Sequence, residues 1–360
     1  MLNICLTFDY ELFLGKNFGT ADEILFSPTY DLIESLTELE IRATFFADIC
    51  SILQARKYDQ TEYINGFEKQ LLWMNSKGQD IQLHIHPHWM KSSYEQKGWI
   101  FSKDFYRIHS FGFDVNKDLN GYAIIKDCRE YLINLLRGQD KEYECIAYRA
   151  GGFCLQPTSE LIEALYDIGI RIDSSIAPQL ISTSKTNYYN YKANLPYINW
   201  WIGSDLSWHL NAADSEKKLL EIPIGTDNKN IPSFIVKRLF NEKNVKLSLG
   251  RKRGSYINEL EDAPKSMTAV WNYLRGYNAF SVDSYAAEYL YSQIKRFYRK
   301  HKCGKISDNA IVEPCICLIG HPKLITEKYI SNLKELIRLI KNDETMRLIS
   351  MNKIYKMVGI

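Results

Sequence analysis

DIQLHIHPHW, residues 80–89, decides how the rest of the chain is read. DIQLHIH (80–86) reads as a β-strand that runs into three histidines, His84, His86 and His88, out of seven in the whole chain. Residues two apart on a strand face the same way, so the three share a parity. Pro87 breaks the hydrogen-bonding ladder and bends the chain. Imidazoles at i and i+4 can then turn back toward one ion. Two neutral imidazoles, one carboxylate and an open position make a common catalytic zinc arrangement. The competing reading, a cluster of surface histidines, loses ground if carboxylates lie on the same face.

Other strands of the same kind flank this one. NICLTFD (3–9), IRATFFAD (41–48), ECIAYRA (144–150), IRID (170–173), LLEIPI (219–224) and CICLIG (315–320) all read as strands, and MRLISM (346–351) starts a last one. Between them lie helical patterns. SPTYDLIESLTEL (27–39) has Ser27 as cap and Pro28 in its first turn. Further helices are expected over 64–77, 122–137, 157–169 and 326–342. Strands separated by helices imply right-handed βαβ units and a parallel sheet. Seven or eight such units suggest a (β/α)7-type, distorted TIM-like barrel. The rival is a doubly wound sheet, but the chain carries no G-x-G-x-x-G and no P-loop.

Residues 227–310 break this rhythm and read as a helical, basic insertion before the last barrel strand, within a single domain spanning 1–360. The insertion carries Lys237, Arg238, Lys243, Lys246, Arg251, Lys252 and Arg253, and later Lys295, Arg296, Arg299, Lys300 and Lys302. The whole chain has 45 basic and 43 acidic residues, so no global field points to nucleic acid. The opening MLNICLTFDYELF reads as a strand rather than a signal peptide, and no apolar run is long enough to span a membrane. A cytoplasmic location is the expectation. The eight cysteines form no C-x-x-C and read as small buried hydrophobes; Cys315 and Cys317 share one face of a strand and read as core.

Chemistry gathers at the C-terminal ends of these strands, the face where a parallel barrel builds its active site. Strand one ends in FDYEL, placing Asp9 and Glu11 on one side, a costly arrangement unless a cation compensates. Strand four ends in YRAGGF, where Arg149 needs a carboxylate partner, most simply Asp9, and Gly151 and Gly152 allow close backbone approach. IDSS offers Asp173 to orient a histidine or cap a turn, and LIGHP offers His321 as a general acid. Together these suit metal-assisted hydrolysis.

The motifs resemble the polysaccharide deacetylases of carbohydrate esterase family four. TFDYE is similar to the family's TFDD, His84-Ile-His-Pro-His88 to its H-x-x-x-H, and Arg149-Ala-Gly-Gly-Phe, Asp173 in IDSS and His321 in LIGHP to its later motifs. The order matches from residue 3 to about 340, the basic insertion excepted. The resemblance implies His84 and His88 as metal ligands with one carboxylate, His86 pointing elsewhere, Asp9 as general base paired with Arg149, and His321 as general acid tuned by Asp173. Tyr10 departs from the second Asp of TFDD, and Glu11 is the substitute ligand, giving D-x-E; the roles of Asp9 and Glu11 are interchangeable at this level. Zinc is the favoured metal, with manganese, cobalt and nickel open.

The expected activity is N-deacetylation of a sugar or glycan precursor, carried on a lipid or a nucleotide diphosphate that the basic insertion would suit. Tyr10, Trp89, Gly152, Phe153, Trp208 and His209 are the candidate substrate contacts, with Trp200 and Trp201 as further stacking surfaces. Two alternatives remain: hydrolysis of a non-sugar amide, as in allantoinase-like relatives, and an inactive glycan-binding barrel, to which Tyr10 points. Single-stranded nucleic-acid binding through the insertion is the weakest reading.

Overall fold

The computed structural model describes residues 1–96, 98–102, 104, 106–184, 187–192, 195–203, 217–228, 254–255, 276–301 and 313–360. Nine strands form the main sheet: β1 (Leu2–Tyr10), β2 (Thr44–Asp48), β3 (Asp80–Ile85), β4 (Ala147–Ala150), β5 (Ile172–Asp173), β6 (Trp200–Ile202), β7 (Leu219–Glu221), β8 (Cys315–Gly320) and β9 (Met346–Leu348). Seven of them run side by side in parallel, in the order β7-β5-β4-β3-β2-β1-β8. The path curls back on itself. Just beyond β7, Ile224 bridges Cys317 in parallel, with the Cys317 amide donating to the Pro223 carbonyl at 2.8 Å and the Gly225 amide to the Cys317 carbonyl at 2.9 Å. This is the seven-stranded barrel that the sequence pattern predicts. β6 adds an antiparallel strand against β7, and β9 shares an edge of β1 with β2.

Helices pack outside: α1 (Ser27–Glu38), α2 (Ile49–Lys57), α3 (Thr61–Ser76), α4 (Gly121–Arg137), α5 (Ser159–Asp167), α6 (Ala287–His301) and α7 (Glu327–Lys341). The strands are buried on both faces, so each residue parity meets a different core. Leu2, Ile4, Leu6, Phe8 and Tyr10 of β1 join the large cluster shared with the helices. Cys5 instead joins Phe46, Ala147, Ile172, Leu220, Cys317 and Ile319 in a second cluster inside the barrel. Among the described residues every cysteine is free and buried, and no helix is long and apolar enough to cross a membrane.

The insertion is described only in part. Tyr277–Ala279 pairs antiparallel with Thr226–Asn228, and α6 is anchored to α7 through the Ala287 amide on Asn332. The basic positions from 237 to 253 lie outside the described residues.

A last helix, α8 (Met351–Val358), closes the bottom of the barrel. Its first turn is held by Asp80, at the start of β3. Asp80 accepts from the Asn352 amide at 2.9 Å, the Thr44 hydroxyl at 2.9 Å and the Gln82 amide at 2.7 Å. A carboxylate at a helix N-terminus satisfies amides that have no partner within the helix. Asp80→Ala leaves these buried donors without their acceptor. It is expected to lower stability by roughly 2–4 kcal/mol, read as a lower urea midpoint at unchanged slope.

Candidate metal centre

The parity that separates the two cores also selects the site. Asp9 and Glu11, His84 and His86, Arg149, and His321 all carry the inward parity of their strands, so they meet at the C-terminal mouth of the barrel. Glu11, His84 and His86 bring one donor atom each to within 4.8 Å of one another, all three buried. Glu11 Oε2 lies 3.1 Å from His84 Nε2 and 2.5 Å from His86 Nε2. His84 Nδ1 is 2.8 Å from the Arg149 carbonyl and donates to it, which leaves Nε2 as the nitrogen facing the centre. A ring fixed through its other nitrogen is the usual setting of a metal-bound histidine. The donor set of one carboxylate and two imidazoles fits a divalent ion such as zinc.

Burial alone would depress His84, but the carboxylates of Asp9 and Glu11 raise its pKa to about 9. An ion at this site therefore displaces a proton, and its affinity falls as pH drops. Burial also works against Glu11, yet Lys323 and His86 hold it well below the usual carboxylate range. Lys323, almost fully buried, puts Nζ 2.6 Å from Glu11 Oε1.

Asp9 stands beside this group. Its Oδ1 takes a 2.7 Å bond from Arg149 Nη1, and its Oδ2 is 4.0 Å from His84 Nε2 and 3.8 Å from His321 Nε2. Burial raises Asp9, but Arg149, His84 and His321 outweigh it, so Asp9 stays ionised. Glu11, not Asp9, is thus the carboxylate closest to both imidazoles. His321 donates from Nδ1 to Asp283 Oδ2 at 2.7 Å, and its backbone amide donates to Asp283 Oδ1 at 3.1 Å. Burial depresses His321, but Asp283 and Asp9 raise it on balance.

Several expected residues sit elsewhere. His88, expected as the second imidazole ligand, is outside the group, and His86 takes that place. The strand alternation runs on through His86; Pro87 then opens a 3-10 turn over Pro87–Lys91. That turn carries His88 into an apolar wall, where its ring stacks on Tyr106 at 4.5 Å and neither ring nitrogen has a hydrogen-bond partner among the described residues. Burial pushes its pKa well down.

Asp173, expected beside His321, aligns in register with Tyr148 and Glu221, the outward parity. It accepts instead from the Ser175 amide and hydroxyl at 3.0 and 2.7 Å. Asp283, on the insertion, holds the position expected of it.

Tyr10 also points outward; it is fully buried and donates to Gln70 at 2.6 Å. Trp89 is fully buried too, and its indole donates to Asp48 at 2.7 Å. Neither offers a face to a substrate. Asp48 also accepts from the His86 amide at 3.2 Å, so it pins the chain where it leaves β3; burial lifts its pKa to about 6. Gly152 and Phe153 are half-buried beside the site. Both have left-handed backbone angles, φ 58° and 62°. Trp208 and His209 lie outside the described residues. Trp200 is buried on β6, while Trp201 is half-buried.

No family model matches this chain, and no curated protein matches it. Among solved structures it is similar to a Mycobacterium smegmatis protein named as a polysaccharide deacetylase, at 10% identity and TM-score 0.48, covering 99% of this chain and 90% of that one. A Pseudomonas aeruginosa PAO1 protein of the same naming has 12% identity and TM-score 0.46, with 99% and 90% covered. The PuuE allantoinase has 11% identity and TM-score 0.46, with 99% and 89% covered. Likeness at this level leaves the reading to the strands and side chains themselves. They define a parallel barrel with a carboxylate–histidine–histidine group at its mouth.

Two outcomes test the geometry. A Cβ on Gly151 would sit 2.5 Å from His86 Nδ1 and 2.7 Å from the Ile85 carbonyl, too close for either to stay. Gly151→Ala is expected to displace His86 and weaken divalent-ion affinity by about 10-fold or more, read by competition with a chromophoric chelator. Asp283→Asn removes the charge that raises His321, so the His321 pKa is expected to fall, read as an NMR titration of its ring protons shifted to lower pH.

Proposed function

We propose that the chain is a metal-dependent hydrolase that removes N-acetyl groups from a sugar or glycan precursor. The observation that carries this reading is the meeting of three elements at one mouth: the Glu11–His84–His86 group, the Asp9–Arg149 pair and the His321–Asp283 pair. Amide hydrolysis needs a base for the attacking water, an acid for the departing nitrogen and stabilisation of the negative oxygen between them.

Asp9 is the base. Arg149 holds one of its oxygens and keeps the carboxylate charged, and the other oxygen is left toward His84 and His321. His321 is the acid. Asp283 and Asp9 raise its pKa and so favour the protonated ring, and Asp283 fixes which nitrogen faces Asp9. Glu11, His84 and His86 would hold the ion. When bound, a divalent ion there supplies Lewis acidity and lowers the pKa of a coordinated water from about 15.7 to about 7. Water adds to the amide carbon, the carbon–nitrogen bond breaks, and acetate and a free amine leave.

Half-buried Phe153 and Gly152, beside Gly151, are the rim positions suited to the sugar. A precursor on a lipid or nucleotide diphosphate is the form of substrate that the basic insertion suits. Purified protein is expected to carry about one equivalent of divalent metal and to lose it in His84→Ala/His86→Ala. With metal, it should release acetate from N-acetylhexosamine compounds. Metal without acetate, but with turnover of a non-sugar amide, would move the assignment to an allantoinase-like activity. No metal after incubation with zinc or cobalt would end the hydrolase reading.

A further inference from the structure

Glu11 divides its two oxygens between different partners. Both imidazole nitrogens converge on Oε2, at 3.1 and 2.5 Å. Oε1 belongs to Lys323, whose Nζ lies 2.6 Å away and also donates to the Leu12 carbonyl at 3.0 Å. The lysine is not a surface side chain reaching in: it is 2% exposed, in the turn just after His321. The neighbouring aromatic ring of Phe13 lies 5.2 Å from its Nζ. A buried ammonium is costly unless paired, and here its charged partner is a side chain of the metal group itself.

We infer that Lys323 sets the denticity of Glu11: by occupying Oε1 it restricts the carboxylate to binding an ion through Oε2 alone. The inference rests on the metal-centre reading above. A carboxylate can bind through one oxygen or two, and two would fill a coordination position that water or a substrate carbonyl needs. With Oε1 held, Glu11, His84 and His86 give three donor atoms and no more. Lys323 is a positioning residue here; it acts through Glu11. It also offsets the Glu11 charge in the metal-free protein, so the carboxylate keeps its place without an ion.

The test uses cobalt(II) as the probe, because four-coordinate cobalt absorbs visible light much more strongly than five- or six-coordinate cobalt. The full-length wild type, Lys323→Met and Lys323→Gln are each loaded with cobalt. Lys323→Met frees Oε1, so its band is expected to be severalfold weaker than that of the wild type. Lys323→Gln keeps an N–H donor toward Oε1, so its band should stay near that of the wild type. Equal bands in wild type and Lys323→Met would overturn the inference while leaving the metal centre standing. No cobalt uptake by the wild type would overturn both.

Should Lys323→Met fail to fold, X-ray absorption of the zinc-loaded wild type decides. A single-oxygen carboxylate with a distant carbon supports the inference, and a two-oxygen carboxylate overturns it.

Discussion

Arg149 holds the mouth of this barrel together. It is fully buried, and its guanidinium reaches across the interior from β4 to Asp9 on β1. It also donates to the Ser174 carbonyl at 2.9 Å and hydroxyl at 3.0 Å, and lies 4.2 Å over the ring of Phe46 on β2. Its own backbone carbonyl fixes the ring of His84. One residue thus places Asp9 through its side chain and the ring of His84 through its main chain. Breaking a buried pair of this kind leaves an uncompensated charge, which typically costs about 3–5 kcal/mol.

Charge balance explains why neighbouring carboxyls behave differently. Asp9 and Glu11 are buried, yet each faces a cation, Arg149 or Lys323, and both stay below the ordinary carboxylate range. Asp48 is equally buried, its hydrogen bonds among the described residues come from the neutral His86 amide and Trp89 indole, and burial lifts its pKa to about 6. Glu221 lies outward beside Asp173, and burial together with that second carboxyl pushes it well up. The same side-chain chemistry therefore gives two carboxylates held ionised, Asp9 and Glu11, and two carboxyls held toward the neutral form, Asp48 and Glu221. Position relative to two buried cations makes the difference.

Much of this could be read from the strands. Alternation placed Asp9 with Glu11 and His84 with His86, and the parallel βαβ rhythm put their ends on one face. Taking His88 as the second imidazole requires a turn that folds i+4 back toward the ion, whereas plain alternation continues through His86 before Pro87 takes effect. Asp173 failed for a related reason. IRID is too short to show a parity of its own, and only its register with Tyr148 reveals that it faces the helices.

Asp283 and Lys323 carried no local signal. The first lies 38 residues from the histidine it contacts, inside the insertion, where nothing in the local sequence ties it to a strand end. The second lies 312 residues from Glu11 in sequence. By itself, then, the sequence determined the barrel, its polarity and the residue types at its mouth, because these follow from the two-residue period of strands and the handedness of βαβ units. Tertiary structure decided which imidazole joins the carboxylate, which acid orients His321 and which oxygen of Glu11 is left to an ion. Those choices depend on distances between segments far apart in the chain, which only the packed fold sets.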